Sequence, residues 1–121
     1  MEILERREKE RRERIGIARE FVEDVSKELG PLTAVVIGST SRGDFNKWSD
    51  IDVVLVSEKF EENPLRRFDK LVRHVRPGIE PIPLRPEDLR RLAGKKAPIV
   101  REIVNGIVIR DDLGILDEIR V

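Results

Sequence analysis

Two aspartates, Asp50 and Asp52, open the apolar segment DIDVVLV at residues 50–56. In a β-strand, side chains two residues apart point to the same face, so the carboxylates would project together with Cα atoms about 6.6 Å apart. Aspartate is disfavoured in strands, and neighbouring carboxylates repel each other unless a positive charge lies between them. A divalent cation supplies that charge most simply, and ligation by oxygen alone favours magnesium. The alternative is a solvated strand entry after Ser49.

A glycine-serine pair, Gly38-Ser39, follows a second apolar run, TAVVI at residues 33–37. Glycine lets the backbone approach a ligand closely, and a serine at the start of a turn leaves N–H groups and a hydroxyl directed at an anion. We therefore predict a phosphate-binding turn, in which Arg42 is either a phosphate contact or an ordinary loop residue. Such a turn beside paired carboxylates indicates transfer from a nucleoside triphosphate, because a metal neutralises the phosphate tail. The sequence has no Walker A motif.

The N-terminal segment, residues 2–29, predicts one long helix that stops at Gly30-Pro31. Its second half carries an apolar stripe at steps of three and four residues, formed by Ile15, Ala18, Val22, Val25 and Leu29. Its first fourteen residues contain five acids and six bases, many paired at i,i+4 with the acid first. We predict a solvated helical extension here, and the alternative is an arm that contacts a partner chain.

The other patterns predict a small domain of alternating strands and helices. Strands are expected at 33–37, 50–56, 79–84 and 107–109, and helices at 63–75, 86–93 and 98–105. Pro81 and Pro83 confine the strand at 79–84 to a sheet edge. The helix at 63–75 is expected to bury an apolar face, made by Leu65, Phe68, Leu71, Val72 and Val75. The fold class is therefore α/β (α+β), a mixed sheet of about four strands with helices packed on one face.

Charge is dense but balanced, since charged residues form 40% of the chain and 24 Lys and Arg match 24 Asp and Glu. A neutral sum argues against a protein that coats nucleic acid, although a local basic patch is compatible with RNA binding. The chain has no cysteine, and no apolar segment approaches the roughly 20 residues of a membrane span. We expect one domain over residues 1–121, with 1–14 as its charged extension, in a cytoplasmic protein that does not bind membranes.

The two motifs together read G-S-x-x-x-G-D-x-x-x-x-S-D-I-D-V over residues 38–53. This string resembles the signature of the polymerase-beta-like nucleotidyltransferase superfamily, and within it the minimal nucleotidyltransferases (MNT-type), the antitoxins of HEPN–MNT pairs. The resemblance covers roughly residues 20–110 and implies the nucleotidyltransferase fold. It implies that Gly38 and Ser39 bind the triphosphate of ATP, and that Asp50 and Asp52 bind magnesium, with two ions expected. We add Arg42 as a candidate contact of the nucleotide.

The resemblance also implies a third carboxylate on a neighbouring strand, for which Glu80 is the candidate. Glu80 would complete the metal site or accept the proton of the attacking hydroxyl. The sequence departs from the family pattern in two ways here, because aspartate is more usual at this position and Pro81 follows directly.

The resemblance implies a magnesium-dependent transferase that moves a nucleoside monophosphate, AMP from ATP, onto a hydroxyl. Larger relatives carry a helical domain that binds the acceptor, so we expect a partner to supply it here, a HEPN-type ribonuclease toxin. A non-catalytic antitoxin that acts by occlusion is one alternative, and a nucleotide or RNA sensor is another. Association between copies of the chain is also left open.

Overall fold

The computed structural model describes residues 2–120 and contains one mixed sheet of four strands. The strands are β1 (Thr33–Ile37), β2 (Ile51–Val56), β3 (Ile79–Leu84) and β4 (Ile107–Asp111). The helices are α1 (Ile3–Leu29), α2 (Gly38–Arg42), α3 (Pro86–Gly94), α4 (Pro98–Val104) and α5 (Leu116–Ile119), and a 3-10 helix, Pro64–Lys70, precedes β3. The predicted fold class, mixed sheet and long N-terminal helix are confirmed.

The strands lie in the order β3-β2-β1-β4. β1 is antiparallel to both of its neighbours, and β2 and β3 are parallel. β3 is an edge strand, as its two prolines predict, because Pro81 and Pro83 have no N–H to donate to a second neighbour. This order places the start of β2 beside the end of β1 on one side and the start of β3 on the other.

Helices cover both faces of the sheet, and the expectation of helices on one face is wrong. On one face, α1 packs against Val36, Val53 and Leu55. On the other, α3, α4 and α5 pack against Val35, Val54 and neighbouring apolar residues. The physical reason is that successive side chains of a strand point to opposite faces. Because β1 and β2 are apolar almost throughout, each face must be covered.

The long helix α1 ends at Gly30, whose φ of 76° no ordinary side chain adopts cheaply. Its apolar stripe is buried as predicted at Ala18, Val22, Val25 and Leu29, with Phe21 added. Within residues 2–120, every helix is too short or too polar to cross a bilayer.

The segment predicted as a helix at 63–75 is wound as a 3-10 helix over its first part, and most of its predicted buried face is exposed. Leu71 is buried, but Leu65 is 88% exposed, Val72 71% and Phe68 45%. The inward position belongs to Arg67, which is 4% exposed, donates to the carbonyls of residues 61, 62 and 83, and pairs with Asp88 at 2.6 Å. A buried guanidinium must have its donors satisfied, so Arg67 decides which side of this helix faces inward.

Candidate active site

The glycine turn and the second aspartate are in direct contact. α2 begins at Gly38, immediately after β1, and the register of the antiparallel pair sets Ile37 opposite Asp52. Gly38 has a φ of 72°, and a Cβ atom at this position would lie 2.5 Å from the Asp52 carboxylate oxygen Oδ2. Only a residue without a side chain fits both the backbone conformation and the space. The two motifs therefore form one site.

The turn after β1 is a short helix of five residues. Its Ser39 is half-buried, and its end is closed by Gly43, whose N–H donates to the Ser39 carbonyl at 2.8 Å. In the part of the chain that the structure describes, no side chain caps the beginning of this helix. The first-turn N–H groups are thus free to receive an anion, as a phosphate-binding turn requires.

The three predicted carboxylates are brought to the same end of the sheet. Asp52 lies in β2 and is half-buried, whereas Asp50 is exposed and precedes the strand, which begins at Ile51 rather than at 50 as predicted. Asp52 and Glu80 are register partners in the parallel pair β2–β3. They share the face of Val54 and Ile82, which pack under α3 and α4.

A fourth acid joins this group, and sequence reasoning missed it. Burial raises the pKa of the Asp52 carboxyl, and the negative charges of Asp50, Glu80 and Glu102 raise it further. Glu102 lies on α4. In the sequence it is simply an acidic residue on a short helix, and such a residue is predicted to be solvated. Its role in the site depends on the packing of α4 against β1.

Gly106 explains why α4 lies so close to β1. A Cβ atom at Gly106 would lie 2.6 Å from the Val36 carbonyl oxygen and 2.5 Å from Val35 Cγ1. The chain after α4 therefore passes directly against the central strand, and this brings Glu102 towards Asp52.

Arg42 lies at the mouth of the site and is held by two acids. Its guanidinium contacts Glu102 at 3.1 Å and Asp44 at 3.2 Å, and its positive charge opposes the rise in the pKa of Asp52. Arg42 also lines a cavity of about 270 Å³ between α2 and α4, whose other lining residues include Gly38, Ser41, Arg101 and Asn105. A phosphate in this cavity would lie within reach of Arg42, so the geometry allows the predicted contact between Arg42 and a phosphate.

The carboxylates of the site fit a hard divalent cation. Carboxylate oxygens are the ligands that magnesium prefers, and a bound cation would relieve the repulsion between Asp52 and its acidic neighbours. Among residues 2–120, no group of three or more acidic or histidine side chains is already arranged around a common metal position. Magnesium held by one or two of these carboxylates together with phosphate oxygens does not need such a group.

Known proteins resemble this chain in sequence and in fold. Residues 18–113 match the sequence model of the nucleotidyltransferase domain. The fold is similar to a crystal structure of a Sulfolobus solfataricus protein assigned as a nucleotidyltransferase, with 28% identity and a TM-score of 0.63 over 70% of this chain and 78% of that one. No protein of curated function matches this chain in sequence.

Proposed function

This chain belongs to the nucleotidyltransferase domain family. We propose that it transfers AMP from ATP to a hydroxyl group on a protein partner, with pyrophosphate as the leaving group and magnesium as the cofactor. The observation that carries the proposal is the contact between the Gly38 turn and Asp52. A triphosphate held at the turn would have its reacting phosphorus beside the carboxylates. Catalysis by such a site comes mainly from positioning and charge neutralisation.

We propose one role for each group of residues in the site. Gly38 and Ser39 would receive the triphosphate tail on the N–H groups of α2, and Arg42 would contact it from the cavity. Asp50, Asp52 and Glu80 would hold the magnesium, which neutralises the phosphate charge when bound. Glu80, an exposed acid on the edge strand, would alternatively accept the proton of an incoming hydroxyl.

The acceptor is proposed to lie on another protein, a HEPN-type ribonuclease for which this chain would be the antitoxin. The sequence contains no tyrosine, so a tyrosine acceptor would have to come from a partner. The cavity of about 270 Å³ is smaller than the roughly 300–1,000 Å³ of sites that enclose a small ligand. A partner chain could therefore complete the walls around a bound nucleotide.

A second candidate function, occlusion of the partner without chemistry, is favoured by one observation. Leu65, Phe68 and Val72 are exposed on and after the 3-10 helix, and we propose that this surface contacts the partner. A chain that binds its partner through this surface could silence it without transferring anything.

The test is mass analysis of both chains after co-expression with the protein encoded beside this one. The purified pair, incubated with ATP and magnesium, is expected to show the mass of one or more AMP groups added to the partner. The double variant Asp50→Asn/Asp52→Asn should form the same complex without the added mass. A tight, inhibited complex whose mass never changes would instead support occlusion, and the absence of both complex and modification would contradict the two functions together.

Replacement of Glu80 by glutamine separates binding from chemistry. If Glu80 completes the metal site or accepts the proton, Glu80→Gln should lower the transfer rate by about 100-fold while ATP affinity changes little. Glu58→Gln is the matched control, because Glu58 is an exposed acid at the opposite end of β2. If Glu80→Gln transfers at the parental rate and Glu102→Gln transfers slowly, the role of metal ligand or proton acceptor belongs to Glu102.

A further inference from the structure

The charged half of α1 is not simply a solvated extension, because two of its arginines hold the loop that joins the two motifs. This loop, residues 40–50, runs from the last residues of α2 to the start of β2. Arg11 and Arg14 contact groups that lie 26 to 36 residues away along the chain. No local sequence pattern predicts contacts over that distance.

Arg14 bridges the two ends of the loop with one guanidinium. Its Nε donates to the hydroxyl of the buried Thr40 at 2.9 Å. Its Nη2 donates to the carbonyl oxygens of Ser49 at 2.5 Å and Asp50 at 3.3 Å. Thr40 belongs to the phosphate turn and Asp50 is a candidate metal ligand, so this side chain joins the phosphate-binding half of the site to the carboxylate half.

Arg11 and an aromatic ring complete the support. Arg11 donates to the carbonyls of Thr40 at 3.1 Å and Ser41 at 2.7 Å, which belong to the last turn of α2. Phe45, in the middle of the loop, is 2% exposed, and the guanidinium groups of Arg7 and Arg14 lie 4.6 and 4.7 Å from its ring centroid. The loop is therefore fixed at its beginning, middle and end by side chains of one rigid helix.

We propose that Arg14, assisted by Arg11, is a positioning residue that sets the distance between the phosphate turn and the Asp50 backbone. The inference rests on the proposed function for its effect on catalysis, but not for its effect on the loop. A planar guanidinium presents several donors in a fixed fork, so one side chain can hold Thr40 and Ser49 at once. Lysine carries the same charge on a single nitrogen and cannot span both.

The experiment compares Arg14→Lys and Arg14→Gln with the control Arg12→Gln. Arg12 is exposed on the same helix, two residues away, so the control repeats the loss of charge without the loop contacts. Amide hydrogen exchange of the ligand-free chain is measured by segment, together with global stability and, where transfer is observed, kcat and KM for ATP. Both Arg14 variants should speed exchange in residues 40–50 by about tenfold while β1 and β2 exchange as in the parent.

In both Arg14 variants, kcat should fall by about 100-fold and KM for ATP should change less. Misplacement of a reacting group by about 1 Å has an effect of this size on the rate. Full activity and unchanged loop exchange in Arg14→Lys would show that only charge is needed and would overturn the proposal. A uniform increase in exchange with lowered global stability would show a merely structural role and would also overturn it. If the parent chain transfers nothing, the proposed function fails, whereas exchange in 40–50 still decides the role of Arg14.

Discussion

Asp52→Asn is expected to lower the rate of nucleotidyl transfer by about 1,000-fold or more. The same change is expected to stabilise the ligand-free chain at neutral pH. The first effect follows because Asp52 is the carboxylate in contact with the phosphate turn. The second follows because burial and the charges of neighbouring acids raise the pKa of this carboxyl, so its ionised form is unfavourable in the folded chain. Asparagine keeps the shape and removes the charge.

The pH dependence of the stability difference has a definite sign. The folded chain binds the Asp52 proton more tightly than the unfolded chain, so this group favours folding below its unfolded pKa and loses that contribution as the pH rises through the raised pKa. The asparagine variant carries no such proton. Its advantage over the parent should therefore be complete at neutral pH and should shrink as the pH falls through the range in which Asp52 becomes protonated.

Denaturant unfolding at several pH values, with and without magnesium and ATP, measures both effects. Asp69→Asn is the control, because Asp69 is an exposed acid on the 3-10 helix. The parent and this control should gain stability from magnesium with ATP, and Asp52→Asn should lose that gain. An unchanged ligand-induced stabilisation in Asp52→Asn would remove Asp52 from the metal site.

Gly38→Ala is expected to cause the second large loss, in triphosphate binding as well as in transfer. A side chain at a φ of 72° costs roughly 1–2 kcal/mol. Its Cβ would also lie 2.5 Å from Asp52 Oδ2, so the carboxylate or the turn must move. A displacement of this kind should lower the transfer rate by about 100-fold and weaken ATP binding more than adenosine binding, because the proposal assigns the phosphates to this turn.

Gly30→Ala isolates the contribution of backbone strain. Gly30 has a φ of 76°, and a Cβ atom there would meet open space at the end of α1, away from the site. This variant should lose stability to backbone strain but keep the parental affinity for ATP, measured by calorimetric titration. Equal losses of ATP and adenosine binding in Gly38→Ala would place the nucleoside, rather than the phosphates, at this turn.

Local patterns were sufficient for the elements that carry the two motifs. The bounds of β1, the end of α1 at Gly30 and the edge position of β3 follow from apolar periodicity, a glycine stop and prolines without N–H donors. These signals act over a few residues. Each depends on a property of the residue itself, such as the backbone freedom of glycine or the missing N–H of proline. The expectation that Gly38 and Asp52 share one site had another basis, because it came from the two motifs read together and from their resemblance to the nucleotidyltransferase signature.

Contacts between distant residues were decided by the tertiary structure alone. Asp50 lies before β2 rather than in it, Glu102 joins the carboxylates through the packing of α4, and Arg67 turns an expected apolar face outwards. Arg14, in a helix half predicted to be solvated, donates to a loop 26 to 36 residues away, because α1 packs against α2 and β2, the elements that this loop joins. The sequence around a charged residue contains no pattern that identifies its hydrogen-bond partner. The partner is therefore known only from the folded chain, in which donors and acceptors meet.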